Sequence, residues 1–223
     1  MTRRTEQKAR SHGAIVAAAA RRIRLQGIRD MGVADVMADA GLTHGGFYAH
    51  FRNKDALVTE AIGTAAGFYE SWLSQAGEKP EAERLGAAAR AYLTREHRDH
   101  RENGCFFATV GQEVAIGPED QRKAIEAQLA GTAQALSALI GTGIDQGAGD
   151  RALAVISLCV GAMTLARAVN SIPVSERLLR AGCEFLTETE NNVARLREQD
   201  EHKKLKKLKK KSKKKKLDAP ADV

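Results

Sequence analysis

Apolar residues recur every three to four positions along most of the chain, and no convincing stretch alternates in the two-residue rhythm of a half-buried strand. Residues 1–10 are polar and basic and read as a mobile arm. Ile15, Ala18, Ala19, Ile23 and Leu25 then predict a first helix over 12–26, closed by Gly27. Val33, Val36, Met37 and Ala40 predict a short second helix, ended by Gly41 where a left-handed backbone costs least. Leu42 plugs the turn from inside, and Thr43 is placed to cap a third helix by accepting a backbone N–H. Phe47 and Phe51 lie four apart and face the same small core.

Asn53 suits the cap of a fourth helix, along which Leu57, Ala61, Ala65, Phe68 and Trp72 form an apolar stripe. Gly77 to Pro80 breaks it, and a fifth helix covers 81–98. Asn103-Gly104 precedes a short helix starting near Cys105 and ended by Gly117-Pro118. Residues 119–140 read as a long helix, 141–149 as a glycine-rich loop, 151–169 as a nearly uncharged helix and 174–197 as an amphipathic one. The expectation is an all-α chain of about nine helices, with an N-terminal unit at 1–55, a second helical unit at 56–201 and a tail at 202–223. Frequent alanine and only 4 prolines in 223 residues agree with it.

Charge changes the picture at the two ends. The formal net charge is +7, yet residues 1–55 carry +5, the tail +9 and the middle −7, so a polyanion is drawn to the ends and repelled by the body. The tail segment HKKLKKLKKKSKKKKL holds 11 lysines in 16 residues, and their repulsion predicts that most of it is disordered in water. Such a tail binds phosphate backbones without reading sequence, with steep salt dependence. The 3 cysteines are far apart in sequence and do not resemble a disulfide framework. There is no early apolar run of signal length and no unbroken run of 18 apolar residues, so a cytoplasmic, nucleoid-associated protein without a membrane partner is expected.

The segment DVMADAGLTHGGFYAHF carries the most specific chemistry. Two short helices across a tight turn can present the second to a DNA major groove. Thr43, His44, Gly45, Gly46 and Tyr48 fall on its outer face. Thr43 and Tyr48 can bond phosphate or base edges, and His44 can donate to a base and, when neutral, also accept. Two glycines in one short helix cost about 1 kcal/mol each relative to alanine, which makes sense if the backbone approaches the duplex closely. Lys54 can hold a neighbouring phosphate. The competing reading is a hairpin used for packing alone. No G-x-S-x-G, H-E-x-x-H or phosphate-cradling G-x-x-x-x-G-K motif points to an enzyme, and no cofactor is implied.

The stretch ADVMADAGLTHGGFYAHFRNKDAL, Ala34 through Leu57, resembles the TetR family of bacterial transcriptional regulators. The resemblance covers about the first 50 residues well and implies an all-helical homodimer. Its helix-turn-helix would bind a palindromic operator on double-stranded DNA. Residues 56–201 would then be a ligand-binding and dimerisation domain, and an unidentified small-molecule effector would shift the spacing of the two heads. Carried onto this chain, it makes Thr43 a capping phosphate contact, His44 and Gly45 groove-facing, Tyr48 and Lys54 phosphate ligands, and Phe47 and Phe51 core aromatics. Gly32 departs from the family's usual Ser or Thr cap, and the lysine tail lies outside the pattern.

In the second unit, the apolar helix 151–169 and the stripe Leu178, Leu179, Cys183 and Leu186 suit a four-helix dimer interface, with Gly161, Ala162 and Gly182 allowing close approach; a simple monomer core is the alternative. Phe68, Trp72, Phe106, Phe107 and Met163 are candidate pocket walls, and Gln112 or Glu113 a candidate polar contact for a ligand, each with a core or outward role as the alternative. Cys105 follows Asn103-Gly104 at an expected helix start, near His97 and Arg101. An exposed thiolate there would sense oxidants or electrophiles, whereas a buried Cys105 would be a small hydrophobe beside Phe106 and Phe107. His97, His100 and Cys105 lack regular zinc-ligand spacing. Three functions compete: a ligand-released repressor, an architectural DNA-binding protein using the tail, and a thiol-based regulator.

Overall fold

The computed structural model describes residues 2–64, 66–141 and 146–217. Among them are ten α-helices, three short 3-10 turns and no strand. The first helix, α1 (Arg3–Asp30), starts at Thr2, whose hydroxyl accepts from the Thr5 amide. The basic segment expected to be a mobile arm is therefore the opening turns of α1. Its residues favour a helix once a cap and an alanine-rich continuation are supplied. Ile15, Val16, Ala19, Ala20 and Ile23 form the buried face. Gly27 does not close the helix; it kinks it at φ +88°, and one more turn follows to Asp30.

Next come α2 (Val33–Asp39) and a 3-10 turn at His44–Ala49, hereafter the reading turn. Gly41, at φ +69°, reverses the chain between them. The Leu42 amide bonds the Met37 carbonyl and the Gly41 amide that of Ala38, so α2's last carbonyls are satisfied without side chains. Asn53 caps α3 (Lys54–Gly63) through its Oδ1 and the Ala56 amide.

The expected single helix through Trp72 is two, α3 and α4 (Ala66–Gly77); Ala65, on the expected stripe, lies outside the described residues. The expected fifth helix is also divided. A 3-10 turn at Glu81–Glu83 leads into α5 (Arg84–Tyr92), and α6 (Arg95–Asp99) restarts on a Thr94 cap. The third 3-10 turn, Arg101–Asn103, precedes α7 (Phe107–Ala115). The remaining helices are α8 (Glu119–Leu139), α9 (Gln146–Ala168) and α10 (Ile172–Leu217). Residues 142–145 of the glycine-rich loop lie outside the described residues.

Helix α1 packs on α2 and α3, α2 packs on the reading turn, and α3 in turn packs on α8, so a boundary at residue 55 falls inside a helix that contacts both units. In the C-terminal domain α9 and α10 lie together, α10 packs on α5, α4 on α5 and α8, and α7 on α9 and α1. Gly149–Ala168 is long and apolar enough by composition to cross a membrane, although it has no unbroken run of 18 apolar residues. Ala152, Val155, Ile156, Cys159, Met163 and Ala166 face the core, while Leu153 and Leu165 are exposed. Glu190 is buried on α10 and accepts from the Leu85 and Gly86 amides at 2.7 and 2.8 Å, capping α5 from a distant helix. The segment expected to be disordered is helical to Leu217, because lysine and leucine are good helix formers and α10 is already nucleated. Residues 218–223 lie outside the described residues.

Candidate nucleic-acid interface

The reading turn stands on a small aromatic platform. Phe47 and Phe51 are buried with stacked rings 5.8 Å apart. His12 of α1 stacks on Phe51 at 4.6 Å and its Nε2 lies 2.7 Å from Glu60 Oε1. The Arg22 guanidinium donates Nε and one terminal nitrogen to the two oxygens of Asp39, at 2.7 and 3.0 Å, which locks α2 against α1. That paired geometry holds the Asp39 carboxyl below its ordinary range.

On this platform Thr43, His44, Gly45 and Tyr48 are brought together on the exposed side, with Tyr48 72% exposed and its ring edge-on to Phe47. Thr43 occupies the capping position but makes no capping bond, contrary to expectation. In a 3-10 turn the Gly46 amide reaches the Thr43 carbonyl instead, at 3.0 Å, so the hydroxyl is left for an outside partner. Gly46 sits against Met37, whereas a Cβ added at Gly45 would meet nothing within 4 Å. The protein itself does not require glycine at 45. Lys54 is half-buried and its Nζ donates to the Arg29 carbonyl at 3.2 Å, so its ammonium is partly engaged at the end of α1. Sequence reasoning missed Arg3, Arg4 and Lys8, which α1 brings beside Ala49 and His50; recognising that 1–10 is helical would have placed them on one face.

The link between head and C-terminal domain was also missed. Glu113 on α7 accepts from the Ile28 amide at 3.1 Å and the Arg29 amide at 2.7 Å, the free donors created by the kink at Gly27. A Cβ on residue 27 would lie 2.4 Å from Glu113 Oε1, so glycine serves both the left-handed backbone and the close approach. Glu113 therefore binds α1 rather than a pocket. Arg24 adds a second tie, donating to the Glu102 carbonyl at 3.4 Å with its guanidinium 4.8 Å from the Phe106 ring centre. Gln121 on α8 donates to Asp55 at 3.1 Å.

The pocket candidates separate. Trp72 is buried and its Nε1 donates to the Ala88 carbonyl at 2.6 Å; Phe106 and Met163 are buried core residues. Phe107 is half-buried and stacked on Tyr69 at 5.3 Å, and Gln112 is exposed, as its position on the outer side of α7 dictates. The Phe68 side chain lies outside the described residues. Cys105 is fully buried, with Sγ 3.3 Å from the Tyr69 hydroxyl, so the exposed thiolate expected of a sensor is absent. Nor is His97 a cationic neighbour. Its Nδ1 donates to the Tyr92 carbonyl at 2.8 Å and its Nε2 accepts from the Cys105 amide at 3.0 Å, a pattern that fits the neutral ring. Burial lowers its pKa to about 4, against the opposing backbone bond and with help from Arg167. Burial likewise pushes the Cys159 thiol up to about 12.

Residues 15–61 match the model of bacterial regulatory proteins of the tetR family, and residues 82–182 that of the tetracyclin repressor-like C-terminal domain. No curated protein matches the chain. Among solved structures, the reduced form of E. coli NemR is 21% identical at a TM-score of 0.66, with 79% of this chain and 94% of that one covered. A TetR transcriptional regulator from Chloroflexus aurantiacus is 24% identical at 0.67, covering 82% and 95%. The regulator from Cytophaga hutchinsonii is 19% identical at 0.68, covering 82% and 96%. An all-helical fold, an exposed reading turn on a helix-turn-helix and two family models spanning head and C-terminal domain lead to one conclusion: the chain belongs to the TetR family and is a DNA-binding transcription regulator.

Proposed function

We propose that this protein is a dimeric repressor that holds a palindromic operator until a small molecule releases it. The carrying observation is the reading turn, where Thr43, His44, Gly45 and Tyr48 are exposed side by side and Gly45 has open space where a side chain would be. Thr43 and Tyr48 then hold phosphates, His44 meets a base edge, and Gly45 lets the backbone approach the duplex. Two heads related by a two-fold axis read two half-sites about one helical turn apart. The dimer reading draws support from large apolar side chains that α9 and α10 leave exposed, among them Leu153, Leu165 and Phe185. For the effector, a cavity of about 530 Å³ between α1, the end of α3 and the 101–103 turn has the size of a small-molecule site. It is lined by Val16, Ala20, Arg24, Thr64 and Asn103, so a ligand there touches the helix that carries the head. The setting is the cytoplasm, on the nucleoid, and the role is binding rather than catalysis.

Selection of genomic fragments by the full-length protein at near-physiological salt, with sequencing of the bound pool, tests the reading. A shared palindrome supports it; uniform recovery of fragments overturns it. The second reading, an architectural protein, is favoured by the exposed lysines 203, 204 and 206 on α10. Deletion of 202–223 then abolishes uniform binding, whereas for the repressor it flattens the salt dependence and leaves operator choice unchanged.

A further inference from the structure

We propose that the first turns of α1 and the end of the reading turn form a groove that seats the phosphodiester backbone of one DNA strand. The proposal rests on the DNA-binding assignment and extends it to residues outside the helix-turn-helix. The groove has a volume of about 780 Å³ and is lined by Arg3, Arg4, Gln7, Lys8, Ser11 and, across from them, the Ala49–His50 segment. Positions 3, 4, 7, 8 and 11 share one helical face, and no carboxylate lines the groove. Arg3, Arg4 and Lys8 are exposed, and among the described residues none has an ion-pair or hydrogen-bond partner. Three unpaired cations on one face repel one another in the free protein, and an arriving polyanion relieves that repulsion.

Two further observations bear on the groove. His50 Nδ1 is buried without a partner among the described residues, on the wall of the same groove. Burial, then His12, then Lys8 hold this imidazole below its ordinary pKa, and a phosphate beside Lys8 opposes the last of these. His12 is itself paired with Glu60 and stacked on Phe51. The reading turn's six residues, at about 2 Å rise each, span about 12 Å, the width of the B-DNA major groove. An element of that length laid across the groove meets backbone at both lips. Thr43 stands at one end of it and the α1 groove at the other.

The test compares the full-length protein with its Arg3→Gln/Arg4→Gln/Lys8→Gln and Lys8→Glu variants, all altered at exposed side chains. The probes are a duplex recovered by selection from a random pool and a random-sequence duplex of equal length. On either probe, the slope of log affinity against log salt falls by roughly 2 or more per dimer in the triple variant. Lys8→Glu weakens both probes by about 10-fold or more. Phosphate-ethylation interference on the selected duplex loses positions flanking the core site, while the bases selected stay the same. Unchanged slopes and interference overturn the proposal, as does a changed base preference, which would make these residues readers of sequence. Failure of the wild type to select any site counts against the operator reading instead, and the random duplex still tests the groove.

Discussion

The reading turn and the buried polar cluster around Cys105 use polar side chains in opposite ways. Thr43, His44 and Tyr48 are held outward by a platform of apolar rings, and their hydrogen-bonding groups face solvent. His97, Tyr69 and Cys105 face inward, and the contacts described above tie them to one another and to the backbone. Substitution in the first arrangement is expected to spare the fold and weaken DNA binding; substitution in the second is expected to cost stability. Polarity alone therefore does not mark a site; whether the polar groups are satisfied inside the protein is what separates the two regions.

Breaking the platform has the largest expected effect. Phe47→Ala removes a buried ring and costs about 3–5 kcal/mol, unfolding the head and abolishing DNA binding together. Chemical denaturation followed by circular dichroism, paired with a DNA shift assay, reads both. Acid sets off the inner cluster next. The folded pKa of His97 is about 4 against 6.5 for the free side chain, so the unfolded chain binds the proton first. The stability from neutral His97 is complete above pH 6.5 and is lost as pH falls from there toward 4, on the order of 3 kcal/mol in all. Urea midpoints at pH 7.5 and 4.5 should diverge in the wild type and converge in His97→Gln; equal divergence in both removes His97 as the cause.

Smaller effects sharpen the contrast. Glu113→Ala leaves two amides of α1 without their acceptor and costs about 1–3 kcal/mol. Hydrogen exchange localises the loss: Ile28 and Arg29 should exchange faster while the α9 core does not. The least stability change belongs to Tyr48→Phe, near zero because the ring is exposed, yet DNA affinity falls by about 1 kcal/mol, roughly fivefold. An unchanged affinity in that variant removes Tyr48 from the contact set.

The parts legible in sequence were those decided within one or two turns. The Gly41 reversal, the Asn53 cap, the Phe47–Phe51 pair and the exposed surface of the reading turn follow from residues a few positions apart. Contacts between distant segments were not legible. Glu113 was 84 residues from the amide it binds most closely, and Glu190 more than 100 from α5. Glu113 stood out only as a candidate ligand contact with an outward role as the alternative, and nothing near Glu190 in sequence marked it. Sequence left Cys105 open between an exposed sensor and a buried small hydrophobe for the same reason, since Tyr69, which shares its burial, lies 36 residues away. The opening of α1 was missed because basic composition was taken for disorder, although Thr2 supplies a cap.

The kink at Gly27 gives the head a debt to its neighbour. The last turn of α1 starts with amides that its own helix cannot satisfy, and the acid that satisfies them belongs to α7. The two domains are thus not interchangeable modules. A chimera that grafts residues 1–63 onto a foreign C-terminal domain needs a carboxylate where Glu113 stands; without one, the segment leading into α2 frays, and the reading turn loses its bearing on the DNA.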